Sequence, residues 1–107
     1  MTARVETHTE DGSMHIALVG EIDLANAAAV EDELRAAISH QPSTVSVDLT
    51  DLTYMDSVGI RILFTLASRL KPLRIMLELI VPLDSPIRRL IELSGFESLA
   101  SLQPQNH

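Results

Sequence analysis

An α/β fold, with a mixed sheet of four to five strands and three main helices, is predicted by three observations. Apolar residues recur at a period of two in some segments and at helical spacing in others. The two kinds of segment follow one another in the order β-β-α-β-α-β-α-β. Strands separated by helices must pair in parallel, with the helices packed on the sheet. A chain of 107 residues suits a single domain over residues 1–107.

"ARVETH" and "MHIALVG" flank "EDGS", and Met14, Ile16 and Leu18 point one way. Asp11-Gly12 is a strong turn signal, so a hairpin is expected from Arg4 to Val19. "DLANAAAVEDELRAAISH" is helical, with Ala27, Val30, Leu34 and Ile38 on one stripe. Its alanines raise the propensity, and Asp23 is its candidate N-cap. Pro42 and Ser43 end it. "TVSVDL" alternates Val45, Val47 and Leu49 against Ser46 and Asp48, the pattern of a strand. "TDLTYMDS" then reads as a polar loop. "SVGIRILFTLASRLK" places Ile60, Leu63, Ala67 and Leu70 on one helical face before Pro72 stops it. "LRIMLELIV" is nearly continuous in apolar character, as in a strand buried on both faces. "DSPIRRLIELSG" carries Ser85 as cap, Pro86 at the first helical position and Gly95 as the stop. "FESLASL" suits a last short strand, and "QPQNH" a frayed tail.

Composition excludes several functions. Hydrophobic residues make up 46% but aromatics only 3%, so the core is aliphatic. A formal net charge of -7, one Tyr, two Phe and no Trp argue against direct nucleic-acid binding. Phosphates would meet a repulsive field with few rings to stack on. A partner with basic patches is easier to accommodate. The absence of cysteine removes disulfides, thiol catalysis and cysteine-based zinc sites. No run is apolar for long enough to span a bilayer, and the N-terminus lacks a signal-peptide core. A cytoplasmic protein is the expectation.

Chemistry concentrates at "MDSVG", Met55 to Gly59. Asp56 or Ser57 can serve as a helix cap and nothing more. Ser57 as a nucleophile is disfavoured, because a hydrolase elbow needs glycine where Met55 stands. None of His8, His15, His40 and His107 is an obvious base or shows metal-ligand spacing. Ser57 as a phosphoacceptor fits, since a helix N-terminus offers free N–H groups and a positive dipole end. Gly59 either lets a kinase or a phosphate approach, or simply allows close packing of helix on sheet. Glu21, Asp23, Asp48, Asp51 and Asp56 all fall near strand ends. They can be caps and solvated loops or a Mg²⁺ site of the receiver kind. The metal is disfavoured, because the later strand ends in Pro82 and not in the lysine that a receiver needs. No phosphate-loop glycine pattern is present. No cofactor and no catalytic residue is therefore expected.

"VSVDLTDLTYMDSVGIRILFTLASRL" resembles the signature region of STAS domains, in particular bacterial anti-sigma factor antagonists. Their pattern "DLS-x-V-x-x-[ILM]-D-S-x-G" is met by Asp48-Leu49-Thr50, Leu52 and Met55-Asp56-Ser57-Val58-Gly59. "LVGEIDLANA" resembles the family's "G-x-[IL]-D-x-x-x-A", and "DSPIRRLIELSGFESL" its third-helix segment. The resemblance implies a STAS-like sheet and a partner-binding region at Asp23, Asp56, Ser57, Val58 and Gly59. It implies that the unphosphorylated protein binds an anti-sigma factor with GHKL-type serine kinase activity, releasing a sigma factor. Phosphorylation of Ser57 then ends the complex, and a PP2C-type phosphatase restores it. Members commonly add a C-terminal helix, which "SLASLQPQNH" is expected to lack. The rival readings are a STAS-like scaffold module without a sigma factor, and a small hydrolase or nucleotide-hydrolysing domain. A modifiable hydroxyl without a convincing base, metal cluster or phosphate loop favours the switch over the enzyme.

Overall fold

A computed structural model describes residues 2–95 and 101–103. The elements are β1 (Ala3–Glu10), β2 (Ser13–Ile22), α1 (Ala27–Ile38), β3 (Thr44–Asp48), β4 (Leu52–Met55), α2 (Ser57–Leu70), β5 (Met76–Ile80), α3 (Pro86–Leu93) and β6 (Ser101–Gln103). The sheet runs β1-β2-β3-β5-β6, with β4 on β2. Only β1 and β2 pair antiparallel, and the remaining pairs are parallel. This is the mixed sheet with three helices that the alternation of patterns predicts. The β1–β2 hairpin closes through Asp11 and Gly12, whose φ values of 51° and 83° suit a two-residue primed turn.

One face of the sheet carries the core. Met14, Ile16 and Leu18 of β2 lie beside Val45 and Val47 of β3, which lie beside Leu77 and Leu79 of β5. Ala27, Val30, Leu34 and Ile38 of α1, and Leu63, Ala67 and Leu70 of α2, join the same buried cluster. Ile60 sits at its margin with 9% exposure, while Ile62 and Leu66 are buried as well. Two alanines, two methionines and the branched aliphatics make up this cluster, without one buried aromatic ring among the described residues.

Three expectations are corrected. Residues Thr50–Ser57 are not all loop, because Leu52–Met55 form β4. The strand is short, and its inward residues Leu52 and Met55 stand three apart, so no alternation marks it. Strand β5 is buried on both faces only at its C-terminal end: on one face Leu77 and Leu79 are buried, and on the other Met76 is 71% exposed and Glu78 half-buried while Ile80 is buried. It is interior in hydrogen bonding, between β3 and β6. Helix α1 starts at Ala27, after Asn26 at the cap position, so Asp23 is not its N-cap. Of the expected last strand, Ser101 and Leu102 are seen in β6, which also takes in Gln103 from the expected tail. Residues 96–100, and the expectation about a C-terminal helix at residues 104–107, lie outside those described.

Burial of Leu63 at 1% exposure yields a direct test. Leu63→Ala should destabilise the protein by ~2–5 kcal/mol in urea unfolding. A loss of a few tenths of a kcal/mol would mean that this helix face is not in the core.

Candidate functional site

The site stands where β2 and β4 end side by side. Ile22 pairs with Met55 in parallel register, so Asp23-Leu24 and Asp56-Ser57 leave the sheet at neighbouring points. The chain reaches this position through Asp48, whose Oδ1 accepts the Thr50 N–H at 2.9 Å. That turn swings the backbone out of β3 and across to β2. Leu52 N–H donates to Leu49 O at 3.2 Å and completes the reversal.

Helix α2 begins at once. Asp56 is its N-cap, in extended conformation, and its Oδ1 accepts the Val58 N–H at 2.9 Å. Of the two candidate caps, the structure uses the aspartate. Ser57 is therefore the first helical residue, it is exposed, and its hydroxyl makes no hydrogen bond to any described residue. Val58 is half-buried against the core. Gly59 is buried, and a Cβ there would run into Cγ and Sδ of Met55. Of the two readings of Gly59, close packing has this geometric support: Met55 takes the space that a side chain at residue 59 would fill.

Asp23 works on the neighbouring loop. Its Oδ1 accepts N–H groups from Ala25 at 2.9 Å and Asn26 at 3.3 Å. Asn26 reciprocates, accepting the Asp23 N–H at 3.0 Å through Oδ1 and donating from Nδ2 to Glu21 O at 2.8 Å. This closed set of bonds stiffens the turn and leaves Leu24 projecting, 75% exposed. Tyr54 on β4, at 43% exposure, and Leu83 beyond β5, at 72%, are also exposed apolar residues. All three follow or belong to the strands that end at this side of the sheet, and sequence reasoning missed them. The exposure of Leu24 depends on the bonds between Asp23 and Asn26, which a short window of sequence does not reveal.

Among the described residues the remaining candidates lie apart from one another. Asp23, Asp48 and Asp56 each accept backbone N–H groups at separate turns. Among the described residues no three His, Asp or Glu side chains are placed to hold a metal ion. His8 and His15 stack on each other across the hairpin, with ring centroids 6.1 Å apart. His15 lies seven residues before Ile22, roughly 20 Å along the strand from the site. His40 follows the far end of α1. His107 lies outside the described residues. Ser57 thus has no imidazole base at hand among the described residues. Ser85, the other serine at a helix start, accepts the Ile87 N–H at 3.1 Å and is committed as a cap.

The family model for the STAS domain matches residues 4–106. A candidate anti-sigma factor antagonist of Bordetella bronchiseptica, BtrV, is 33% identical over 90 residues, covering 83% of this chain and 76% of BtrV. The crystal structure of an anti-sigma factor antagonist from Mycobacterium paratuberculosis superposes with a TM-score of 0.88 at 25% identity, over 97% of this chain and 87% of the other. The anti-sigma factor antagonist SpoIIAA, unphosphorylated, gives a TM-score of 0.74 at 20% identity over 98% of this chain and 90% of its own, a likeness of fold.

The cap yields a prediction. Asp56→Ala removes the acceptor for Val58 N–H and should cost ~0.5–2 kcal/mol in chemical denaturation. Asp56→Asn keeps an acceptor oxygen and should cost much less. Equal losses in the two variants would mean that the charge, and not the cap hydrogen bond, holds the helix start.

Proposed function

The chain belongs to the STAS domain family, in the group of the anti-sigma factor antagonists, and we propose that it is a binding switch thrown at Ser57. Unphosphorylated, it binds an anti-sigma factor with GHKL-type serine kinase activity and so releases a sigma factor in the cytoplasm. Phosphorylation of Ser57 by that kinase ends the complex, and a PP2C-type phosphatase resets it. The observation that carries this reading is the division of labour at the start of α2: Asp56 takes the cap, and Ser57 is left exposed with an uncommitted hydroxyl. Leu24, Tyr54 and Leu83, which belong to or follow strands that end at this side of the sheet, offer exposed apolar surface of the kind that a partner buries. On this reading the chain supplies an acceptor group and a docking face, and the partner supplies the chemistry.

The effect of a phosphate follows from its surroundings. Phosphoserine adds about -1.5 to -2 charges at neutral pH. The helix dipole favours it by ~0.3–1 kcal/mol. The Asp56 carboxylate opposes it and already holds the Val58 N–H. Arg61 lies one turn further along α2, is exposed, and is in no ion pair among the described residues. A phosphate at residue 57 and a guanidinium at 61 stand at the i, i+4 spacing that lets side chains meet. The folded domain can therefore accommodate the charge with little net change. A partner that packed on a neutral hydroxyl must desolvate a dianion, which costs several kcal/mol when no cation meets it. The switch acts by repulsion and steric block at the contact, without refolding.

Two measurements test this. Reaction with the cognate kinase and ATP should place phosphate on Ser57, read by peptide mass spectrometry, and Ser57→Ala should abolish it. Phosphorylated protein should bind the kinase at least about tenfold more weakly, or ~1.4 kcal/mol, with its melting temperature nearly unchanged. Full modification of Ser57→Ala, or an unchanged affinity, would sink the mechanism. Recovery of a kinase whose binding frees no sigma factor would instead favour a scaffold complex.

A further inference from the structure

Strand β1 is the edge of the sheet and, among the described residues, pairs with β2 alone. Its register with β2 is continuous from Ala3 to Glu10, without a bulge. Its sequence, "ARVETHTE", has no proline and no lysine. Proteins commonly guard an open edge with such devices.

The ladder shows which backbone groups are free. Glu21 N–H donates to Thr2 O at 2.9 Å, so the backbone groups of Thr2 face β2. In an antiparallel pair this orientation alternates. Arg4, Glu6, His8 and Glu10 therefore bond to β2, and Ala3, Val5, Thr7 and Thr9 turn their N–H and C=O groups outward. The side chains of Arg4, Glu6, His8 and Glu10 share one face and are all exposed. Basic and acidic groups alternate along this row. Arg4 Nε stands 2.7 Å from Glu6 Oε2, and His8 Nε2 stands 4.0 Å from Glu10 Oε2.

We propose that β1 is a self-association edge, on which a second copy of this chain adds its own β1 antiparallel about a two-fold axis at Thr7. In that register Thr7 faces Thr7, Val5 faces Thr9, Glu6 faces His8, and Arg4 faces Glu10 of the second copy. The residues that exchange backbone bonds are the outward-turned ones, giving about six new hydrogen bonds over the pairs 5–9, 7–7 and 9–5. The charged residues fall on the intervening positions, where facing side chains come closest. A slip of two residues one way sets Glu6 against Glu6 and Arg4 against His8. A slip the other way sets Glu6 against Glu10 and His8 against His8. The order of signs selects the two-fold at Thr7 and penalises its neighbours.

Space for the second copy exists on the helix side as well. Helix α1 lies over β1 and β2. Beyond it, a groove of about 420 Å³ is lined by Val5, Thr7, Thr9, Ala36, Ala37 and His40, among others. The α1 of the second copy would lie two strand spacings away, roughly 10 Å. That is the separation at which helices pack, and small residues at the contact permit it. The site around Ser57 stays open, because β4 pairs with the opposite edge of β2. The inference thus stands apart from the phosphorylation switch.

Sedimentation equilibrium of the full chain over a concentration series tests it, with Arg4→Glu, Glu10→Arg, the double variant and Thr7→Pro for comparison. The wild type should dimerise. Each single reversal should weaken association about tenfold, and the double reversal should restore it to within about threefold, since only facing charges are exchanged. Thr7→Pro removes an outward N–H that β2 does not use, so it should stay folded by circular dichroism yet be monomeric. A wild type still monomeric at ~1 mM, single reversals without effect, or a double variant no better than the singles would each overturn the proposal.

Discussion

Strand β2 has to serve two partners along one edge, and the placement of everything functional depends on how it does so. Residues 13–17 pair with β3, and residues 20–22 pair with β4, with a register shift between Gly20 and Glu21. Gly20 adopts φ +100°, and a Cβ there would strike the carbonyl of Thr2. Gly20 N–H donates to Asp51 O at 3.2 Å, and its own carbonyl accepts from Thr53 Oγ1 at 3.0 Å. These bonds hold β4 against a strand that has already been claimed by β3. A side chain at residue 20 would strike the backbone at the start of β1. Were β4 not held there, Met55 would lose its place over Gly59, and α2 would not start beside the end of β2.

Given that placement, the start of α2 divides two tasks between adjacent residues. A helix N-terminus offers N–H groups that something must satisfy. Had Ser57 been the cap, its hydroxyl would have been bound to backbone and withheld from any other chemistry, as the hydroxyl of Ser85 is at the start of α3. Asp56 in the cap position frees it. The same carboxylate also sets the local field, so that charge added to Ser57 meets a neighbour of its own sign. Asp56 thus holds the helix start, and on the proposed reading it leaves the hydroxyl open to modification without unpicking the helix.

Much of this was legible in the sequence because the signals were local. The Asp11-Gly12 turn, the stripe from Leu63 to Leu70 and the Ser85-Pro86 start each depend on a few neighbouring residues, and each appears where the pattern places it. The misreadings share a different cause. Strand β4 exists because β2 offers it an edge, and its own four residues say little. Asp23 looks like a helix cap, but Asn26 closes a turn with it before the helix begins. The apolar run around Met76 looks doubly buried, yet Met76 itself is exposed and only Ile80 at the far end of that face is buried. Leu24, Tyr54 and Leu83 read as ordinary apolar residues, and only the tertiary arrangement leaves them exposed. Partners that come from elsewhere in the fold leave no mark in a short window of sequence.

The two edges of β2 also separate the two proposed recognition surfaces. One edge leads through β4 to Ser57, and the other carries β1 and its row of alternating charges. Pairing through β1 joins two copies while leaving each Ser57 as it was in the monomer. A partner with two binding sites would then meet two antagonist faces on one rigid sheet. Its second contact becomes intramolecular, with an effective concentration fixed by the geometry of the two-fold. Phosphate on one protomer would remove that second contact, and the remaining face would have to hold the partner alone. The loss is then larger than half, because affinity multiplies across linked sites while phosphorylation acts on each singly. Self-association at an edge remote from the hydroxyl would in this way sharpen the response of a switch whose chemistry it never touches.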